Sequence, residues 1–385
     1  MLDCDDATLA FGPCAGPALR ANAGAAGYYR VAYGDAGQSA LAAGFATLPA
    51  ADRLALLSDG FALARAARQG LVAHLPFLAA LSPPRDAPVA LLWMTALDQI
   101  DELPHIFAGT TPEATLRGFH LALLQQAHRA LGWDGAADEG AKFQSLRRRV
   151  IAALARTGHE PTRAEAERRF EAAMDLSSPM PDTLRRAVLA AAGTSADAAR
   201  VERMLQAMAA GLREGDRLVY LPGLTQVSET AQIEKLLDDA LAGRMPRTQA
   251  SRLPQSLAWN AQRGEQVMAH LLGHWPAWKA LVGDSAFGTL PWLLPGTAWN
   301  SMDPTMPERL AAAQQQHLGT TGQSLVAQAT ATMRTRQQWR ARTRYARPGG
   351  SSAAVAGALT DHDCPARRRV GHSFGGRTCC LLQSR

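Results

Sequence analysis

The stretch TTPEATLRGFHLALLQQAHRALGW, residues 110–133, decides the fold class, because its apolar residues recur with the spacing of an α-helix. Thr111 suits the N-cap, Pro112 suits the first turn, and Glu113 suits the positive end of the helix dipole. Gly132 is a typical stop. The apolar stripe comprises Leu116, Phe119, Leu123, Leu124, Ala127 and Leu131. The pattern predicts one amphipathic helix with a single buried face.

Similar apolar stripes continue on both sides of this segment. One runs through residues 53–70, and Gly70 is predicted to end that helix in a left-handed conformation. The TRAE tetrapeptide predicts a capping box, in which Thr162 and Glu165 satisfy each other's backbone donors. Short helices on short connections favour neighbours that pack antiparallel. We therefore predict a mostly α fold, an irregular α-solenoid of short helical hairpins resembling HEAT or armadillo repeats, with a compact all-α bundle as the alternative.

The segment NAGAAGYYRVAYG, Asn22–Gly34, is an exception, because it contains three of the five tyrosines and alternates like a strand. The helical remainder offers this strand no partner. We predict that residues 1–36 are the remnant of a small β-sandwich that ends in this strand. The helical superhelix is predicted over residues 37–344, and a disordered basic tail over residues 345–385.

The net charge of +6 comes from the tail and not from the helical part. Residues 334–385 contain 11 arginines and 2 aspartates, which gives +9, whereas the other 29 basic and 32 acidic residues give −3. Nucleic-acid binding through the Arg-rich tail is therefore an alternative function, but a disfavoured one. The arginines of the last helix, Arg334, Arg336, Arg340, Arg342 and Arg344, are predicted to form a solvated helix end.

The positions of the cysteines and the hydropathy of the chain limit the possible disulfides, metal sites and membrane segments. All five cysteines lie before residue 15 or after residue 363, which excludes a disulfide framework inside the helical part. The sequence has no CxxC pair, no apolar run of eighteen residues and no secretory-signal pattern at its start. We therefore predict no membrane span, and a cytoplasmic location by default.

The sequence offers no convincing catalytic set. The nearest match to the zinc motif HExxH is HEPTR, His159–Arg163, which has arginine in place of the second histidine and is predicted to be a polar loop. The GHSFG pentapeptide, Gly371–Gly375, matches a nucleophile elbow, but no later acid or histidine follows it. We predict no other ligand spacing among the ten histidines. We predict no catalytic residue, no metal ligand and no cofactor in this chain.

Two further stretches are interpreted structurally. The arginines Arg147–Arg149 lie within an apolar helical pattern and are predicted to form its solvated face. Trp275 and Trp278, spaced i and i+3, are predicted to pack against a neighbouring helix.

NAGAAGYYRVAYG is similar to the N-x-x-x-x-G-Y-Y-R-V-x-Y segment of the M1 zinc aminopeptidases, the gluzincin family that includes aminopeptidase N. The matching residues are Asn22, Gly27, Tyr28, Tyr29, Arg30 and Tyr33. Later stretches resemble segments of the same family, in the same order. They are ALGWD, followed by LRRRVIAALARTG, and then LAWNAQRGEQVMAHLLGHWPAWKALVG. The resemblance covers residues 15–342 and implies the C-terminal helical domain of such a metallopeptidase.

In that family, the resemblance implies, a catalytic domain upstream uses one zinc ion to release N-terminal amino acids from peptides. The helical domain closes over the active site as the wall of the substrate cavity. Because the chain contains neither HExxH nor GxMEN, it is predicted to be inactive alone. Its implied partners are peptides, reached through the parent catalytic domain, or an M1 catalytic domain in trans. A free-standing α-solenoid interaction scaffold is the alternative.

Overall fold

The protein is described by a computed structural model, which is helical throughout the residues that it describes. These residues are 20–136, 138–259, 263–283 and 288–344. Within these ranges there are α-helices and short 3-10 helices but no strand, so the predicted mostly α fold is confirmed. The predicted sandwich remnant before residue 20 and the tail from residue 345, which includes the GHSFG pentapeptide, lie outside the described residues.

The described chain forms two compact units, residues 20–100 with 341–344, and residues 101–340. The helices of the first unit are α1 (Asp35–Ala43), α2 (Ala50–Arg65), α3 (Leu71–Ala79) and α4 (Ala87–Ile100). Helix α2 packs against α3 and α4, and it buries Leu57 and Phe61 as predicted. The prediction for Gly70 is wrong. Because α2 already ends at Arg65, Gly70 lies beyond the helix with a φ of −70°, and Ala67 takes the left-handed conformation with a φ of 53°.

The second unit contains the remaining helices, except for residues 341–344 at the end of the last one. They are α5 (Leu103–Ile106), α6 (Glu113–Leu131), α7 (Ala141–Arg156), α8 (Glu160–Met174), α9 (Asp182–Gly193), α10 (Ala198–Ala210), α11 (Glu214–Leu218), α12 (Leu221–Leu224), α13 (Thr230–Leu241), α14 (Arg247–Ala258), α15 (Gly264–Gly273), α16 (Trp275–Val282), α17 (Leu290–Ala298), α18 (Met306–His317) and α19 (Gln323–Arg344). Helix α9 contacts α7, α8 and α12, and α14 contacts α13, α15, α16 and α17. This packing of short neighbouring helices along the chain matches the predicted solenoid of hairpins.

Helix α6 shows how the apolar period determines burial. Every residue of its predicted stripe is buried, and Gly132 ends the helix with a φ of 61°. The predicted N-cap is wrong, because the helix starts at Glu113 with Pro112 as its cap. The Glu113 carboxylate instead accepts a hydrogen bond from the backbone N–H of Gly109, at 2.6 Å. This bond ties the first turn of α6 to the segment before it, and the negative charge of Glu113 suits the positive end of the helix dipole, as predicted.

The start of α8 corrects two predictions at once. The HEPTR pentapeptide is not a loop, because His159 is the N-cap and Pro161 occupies the first turn, where its missing N–H costs nothing. The predicted capping box is also wrong, since Thr162 and Glu165 both lie inside the helix. Thr162 Oγ1 pairs with His159 Nδ1 at 2.8 Å, and Glu165 binds Arg169 at 2.6 Å.

The predicted solvated arginine face of α7 is wrong for its first member. Arg147 is only 7% exposed. It pairs with Glu139, and its Nη2 donates to the carbonyl oxygen of Leu131 at 3.0 Å. The tryptophan prediction is confirmed, since Trp275 and Trp278 are both buried. The sequence predicts a surface position for such an arginine, because the spacing of apolar residues does not indicate which backbone carbonyl the side chain will bind.

The predicted solvated end of α19 is wrong for two of its arginines. Arg336 pairs with Glu102 at 2.9 Å and donates to Asn300 Oδ1 at 3.0 Å. Arg340 donates to the carbonyl oxygen of Ala108 at 2.6 Å. These contacts bind the last helix of the second unit to its first turns. They also engage two of the cations that made nucleic acid an alternative.

Candidate functional site

The segment Asn22–Tyr33 is a folded turn, so the predicted strand is absent from it. The Asn22 side chain organises the turn, because its Nδ2 donates to the carbonyl oxygens of Gly27 and Tyr29, at 3.0 and 3.3 Å. The N–H of Gly27 donates back to Asn22 Oδ1 at 2.7 Å. A Cβ on Gly27 would lie 2.2 Å from the Tyr29 ring, so a larger residue there would displace this exposed side chain. Backbone groups that a strand would leave unpaired are thus satisfied locally.

Two aspartates of α2 hold this turn against the first unit. Asp52 accepts the N–H of Gly24 at 2.6 Å and pairs with Arg20 at 2.6 Å. Asp59 accepts the N–H of Val31 at 3.2 Å. Burial raises the pKa of Asp59, and the hydrogen bond from Val31 partly offsets that rise. The motif is therefore docked on α2 through its backbone N–H groups.

The remaining motif residues either stabilise the turn or expose their side chains to solvent. The Tyr33 hydroxyl donates to the carbonyl oxygen of Ala21 at 3.3 Å and accepts its N–H at 3.2 Å. Tyr28 is fully exposed, and Tyr29 and the Arg30 side chain are more than half exposed. Asn22, Gly27 and Tyr33 thus build the turn, whereas the two adjacent tyrosines present aromatic surface outward.

The residues nearest to a zinc motif do not fit a zinc site. His159 Nδ1 is engaged by Thr162 Oγ1, and Arg163, in place of the second histidine, donates its Nε–H to the carbonyl oxygen of Ala155 at 3.0 Å. Both side chains serve the first turn of α8 and do not converge on a common point.

Five arginines of the second unit, which we call the arginine row, include pairs whose charges affect each other's pKa. Arg148 is half-buried, and burial together with the charges of Arg186 and Arg149 lowers its pKa. Arg263 is 6% exposed, and burial with the charge of Arg156 lowers its pKa to about 10. The row, Arg148, Arg149, Arg156, Arg186 and Arg263, thus concentrates positive charge where water screens it poorly.

One carboxylate, that of Asp101, serves part of the row. It lies 3.7 Å from Arg149 and 3.8 Å from Arg156, and His120 Nε2 is 2.9 Å away. Burial works to raise the pKa of Asp101, but the hydrogen bond from His120 and the charge of Arg156 outweigh it, so this pKa is lowered. Asp101 is therefore ionised at neutral pH.

The other three members of the row lack such a partner. Within the described residues, no carboxylate lies within ion-pair distance of Arg148, Arg186 or Arg263. Arg263 uses its guanidinium on the carbonyl oxygens of Thr225 and Gln226, which satisfies hydrogen bonds without neutralising charge. The Nε of Arg186 is buried without a hydrogen-bond partner. The row therefore has positive charge available for an anionic ligand.

Comparison with known proteins agrees with this fold and motif. Residues 19–335 match a family described as the ERAP1-like C-terminal domain. The chain belongs to this family. The YYR motif resembled that of M1 aminopeptidases. The family match confirms that this ERAP1-like C-terminal domain is the helical domain of an M1 aminopeptidase.

Its curated relatives are M1-type aminopeptidases that are much longer than the matched region. Aminopeptidase M1-A of Oryza sativa subsp. japonica is 33% identical over 40% of this chain and 17% of its own length. Aminopeptidase M1 of Arabidopsis thaliana is 32% identical over 45% of this chain and 20% of its own length. Puromycin-sensitive aminopeptidase of Caenorhabditis elegans is 29% identical over 45% of this chain and 18% of its own length. The chain matches about a fifth of each relative. In its described part, no helix is long and apolar enough to cross a bilayer.

Sequence reasoning about this ERAP1-like domain missed one cluster. Asp238, His270 and His274 place one potential ligand atom each within 4.8 Å of one another. The available signal was HLLGH, residues 270–274, whose two histidines have the spacing of HExxH. The prediction that the histidines have no other ligand spacing is therefore wrong, although Leu271 stands where HExxH has glutamate. The arginine row was missed as well, since it joins side chains from distant segments.

Proposed function

We propose that this chain is the substrate-holding domain of an M1 metallo-aminopeptidase and is inactive alone. A catalytic part, covalently joined or supplied in trans, removes N-terminal residues from peptides, and this domain lines the cavity that receives them. The observation that carries the proposal is the family match over residues 19–335 of a sequence without HExxH. The name aminopeptidase, shared by the curated relatives, supports the reaction class.

The arginine row gives this role a chemical basis. A peptide held by its N-terminus for cleavage presents a carboxylate at its distal end. Guanidinium groups bind carboxylates through paired, charge-assisted hydrogen bonds. Arg148 and Arg186 are half-buried and lack a carboxylate partner among the described residues, so the row suits a free peptide C-terminus. The domain would then favour peptides whose length lets both ends be held.

The docked turn suggests where the catalytic part attaches. Tyr28 and Tyr29 expose aromatic surface next to a turn that is fixed on α2 by Asp52 and Asp59. Exposed aromatic side chains on a rigid support are typical of interface residues. The preceding part of an aminopeptidase would cover them.

Peptide binding tests the proposal. A fluorescein-labelled ten-residue peptide with a free C-terminal carboxylate should bind the purified chain, and its C-terminal amide should bind at least about tenfold more weakly, because charged hydrogen bonds are lost. The double variant Arg148→Gln, Arg186→Gln should remove the preference for the acid. Fluorescence anisotropy measures all four affinities, and a circular-dichroism melt checks folding.

The matched control removes two other arginines, by Arg117→Gln and Arg168→Gln. These side chains are exposed and pair with acids on their own helices, so the control has the same net charge as the test variant. The acid preference should survive in it. Equal affinity for acid and amide in the unmodified chain would refute carboxylate recognition. Binding of acidic peptides irrespective of their C-terminus would instead favour the interaction-scaffold alternative.

A further inference from the structure

A cluster of two histidines and an aspartate lies apart from the arginine row. His270 is in the last turn of α15, His274 is the residue between α15 and α16, and Asp238 projects from α13. The two imidazole rings are stacked, with centroids 4.4 Å apart and planes 28° apart. Their ligand atoms and a carboxylate oxygen of Asp238 lie within 4.8 Å of one another, a spacing that one ion can bridge.

The hydrogen bond of His274 assigns its tautomer and leaves one ring nitrogen free to bind a metal. Its Nδ1 lies 3.1 Å from the carbonyl oxygen of His270, an acceptor, so Nδ1 carries the proton and donates it. Its Nε2 therefore presents a lone pair on an exposed ring. An Nδ1–H bound to a backbone carbonyl is the usual means of orienting a ligating histidine.

His270 is held by a second contact, from the buried indole of Trp278. The Trp278 Nε1–H donates to His270 Nδ1 at 3.2 Å, and His270 Nε2–H donates to Asp238 Oδ1 at 2.9 Å. An ion on Nε2 would take the place of that proton next to the same carboxylate. The ring proton would then move to Nδ1 and the indole hydrogen bond would break. Trp278 thus becomes a reporter of occupancy.

The donor set selects the ion. Two imidazoles and one carboxylate suit Zn²⁺, whereas Ca²⁺ and Mg²⁺ prefer oxygen ligands alone. Three protein ligands leave a position for water, and the exposure of Asp238 and His274 leaves room for it. The residues between the histidines, Leu271 to Gly273, include no acid, so the cluster lacks the general base of HExxH.

We propose that Asp238, His270 and His274 form a zinc-binding site on the surface of the second unit. The ion joins α13 to the junction of α15 and α16, and it stabilises the folded state because the unfolded chain does not hold the three ligands together. This site is independent of peptide binding by the arginine row.

Calorimetric titration of the full chain with ZnCl₂ tests the site. The chain is first treated with EDTA and its cysteines are alkylated, since thiolates at the termini would also bind zinc. One zinc ion should bind per chain, with a change in tryptophan fluorescence and a higher melting temperature. His274→Ala and, separately, the near-isosteric Asp238→Asn should weaken binding at least about tenfold.

His128→Ala is the matched control, because it removes an imidazole from α6, a helix that carries none of the three ligands. It should leave zinc affinity unchanged. The proposal is overturned if no one-to-one binding occurs, or if His274→Ala and Asp238→Asn bind zinc like the unmodified chain while remaining folded. It is also overturned if His128→Ala weakens binding as much as they do.

Discussion

Replacing Arg185 with methionine should lower the free energy of unfolding by about 3 kcal/mol or more, since several buried carbonyl groups would lose their donor. Arg185 is 1% exposed in α9. Its guanidinium donates to five carbonyl oxygens of the preceding segment, those of Ala172, Ala173, Asp175, Ser178 and Met180, at 2.5 to 3.2 Å. It therefore fixes the end of α8 and the whole connection to α9.

Urea denaturation followed by circular dichroism measures the effect. Arg203→Met is the matched control, because Arg203 lies on the next helix and forms an exposed pair with Glu171. The control should cost less than about 1 kcal/mol. Arg185→Lys should fall between the two, since an ammonium keeps the charge but cannot reach as many carbonyls. If Arg185→Met and Arg203→Met unfold at the same urea concentration, the proposed role of Arg185 is wrong.

Gly193→Ala is expected to cost about 1–3 kcal/mol, the usual penalty of overpacking a core. Gly193 is the last residue of α9, where it crosses α12. A Cβ there would lie 2.2 Å from the carbonyl oxygen of Gly223 and 3.0 Å from its Cα. Because these are backbone atoms, the clash is relieved only when the two helices move apart.

Gly118→Ala provides the opposite expectation within the same fold. Gly118 lies on the exposed side of α6, and a Cβ there meets nothing within 4 Å. Alanine should therefore stabilise the protein by about 0.5–1 kcal/mol through helix propensity alone. The same urea experiment tests both variants. Stabilisation by Gly193→Ala would show that the close contact between α9 and α12 is absent in solution.

The spacing of apolar residues along the sequence predicted most of the helices and their buried faces. The stripe of α6 and the stop at Gly132 follow from local rules, and so does the burial of Trp275 and Trp278. Helix starts were less predictable, because several polar residues near each start could act as caps. Thr111 was predicted as the N-cap of α6, but the helix begins at Glu113 with Pro112 as its N-cap.

Contacts between distant segments account for what sequence reasoning missed. Arg147 and Arg185 are buried because they bind backbone carbonyls of neighbouring loops, and no apolar pattern records such partners. The strand prediction for the YYR segment failed for a similar reason. Alternation of side chains was visible, but the capping of the turn by Asn22 and its anchoring by Asp52 were not.

The central claim is that this domain receives peptides but does not cleave them. The most direct test is hydrolysis of amino-acid arylamides by the purified chain, with added zinc and, separately, with a chelator. We expect the rate of the buffer alone under both conditions, because HExxH occurs nowhere in the sequence. Chelator-sensitive turnover that copurifies with the chain would contradict the claim.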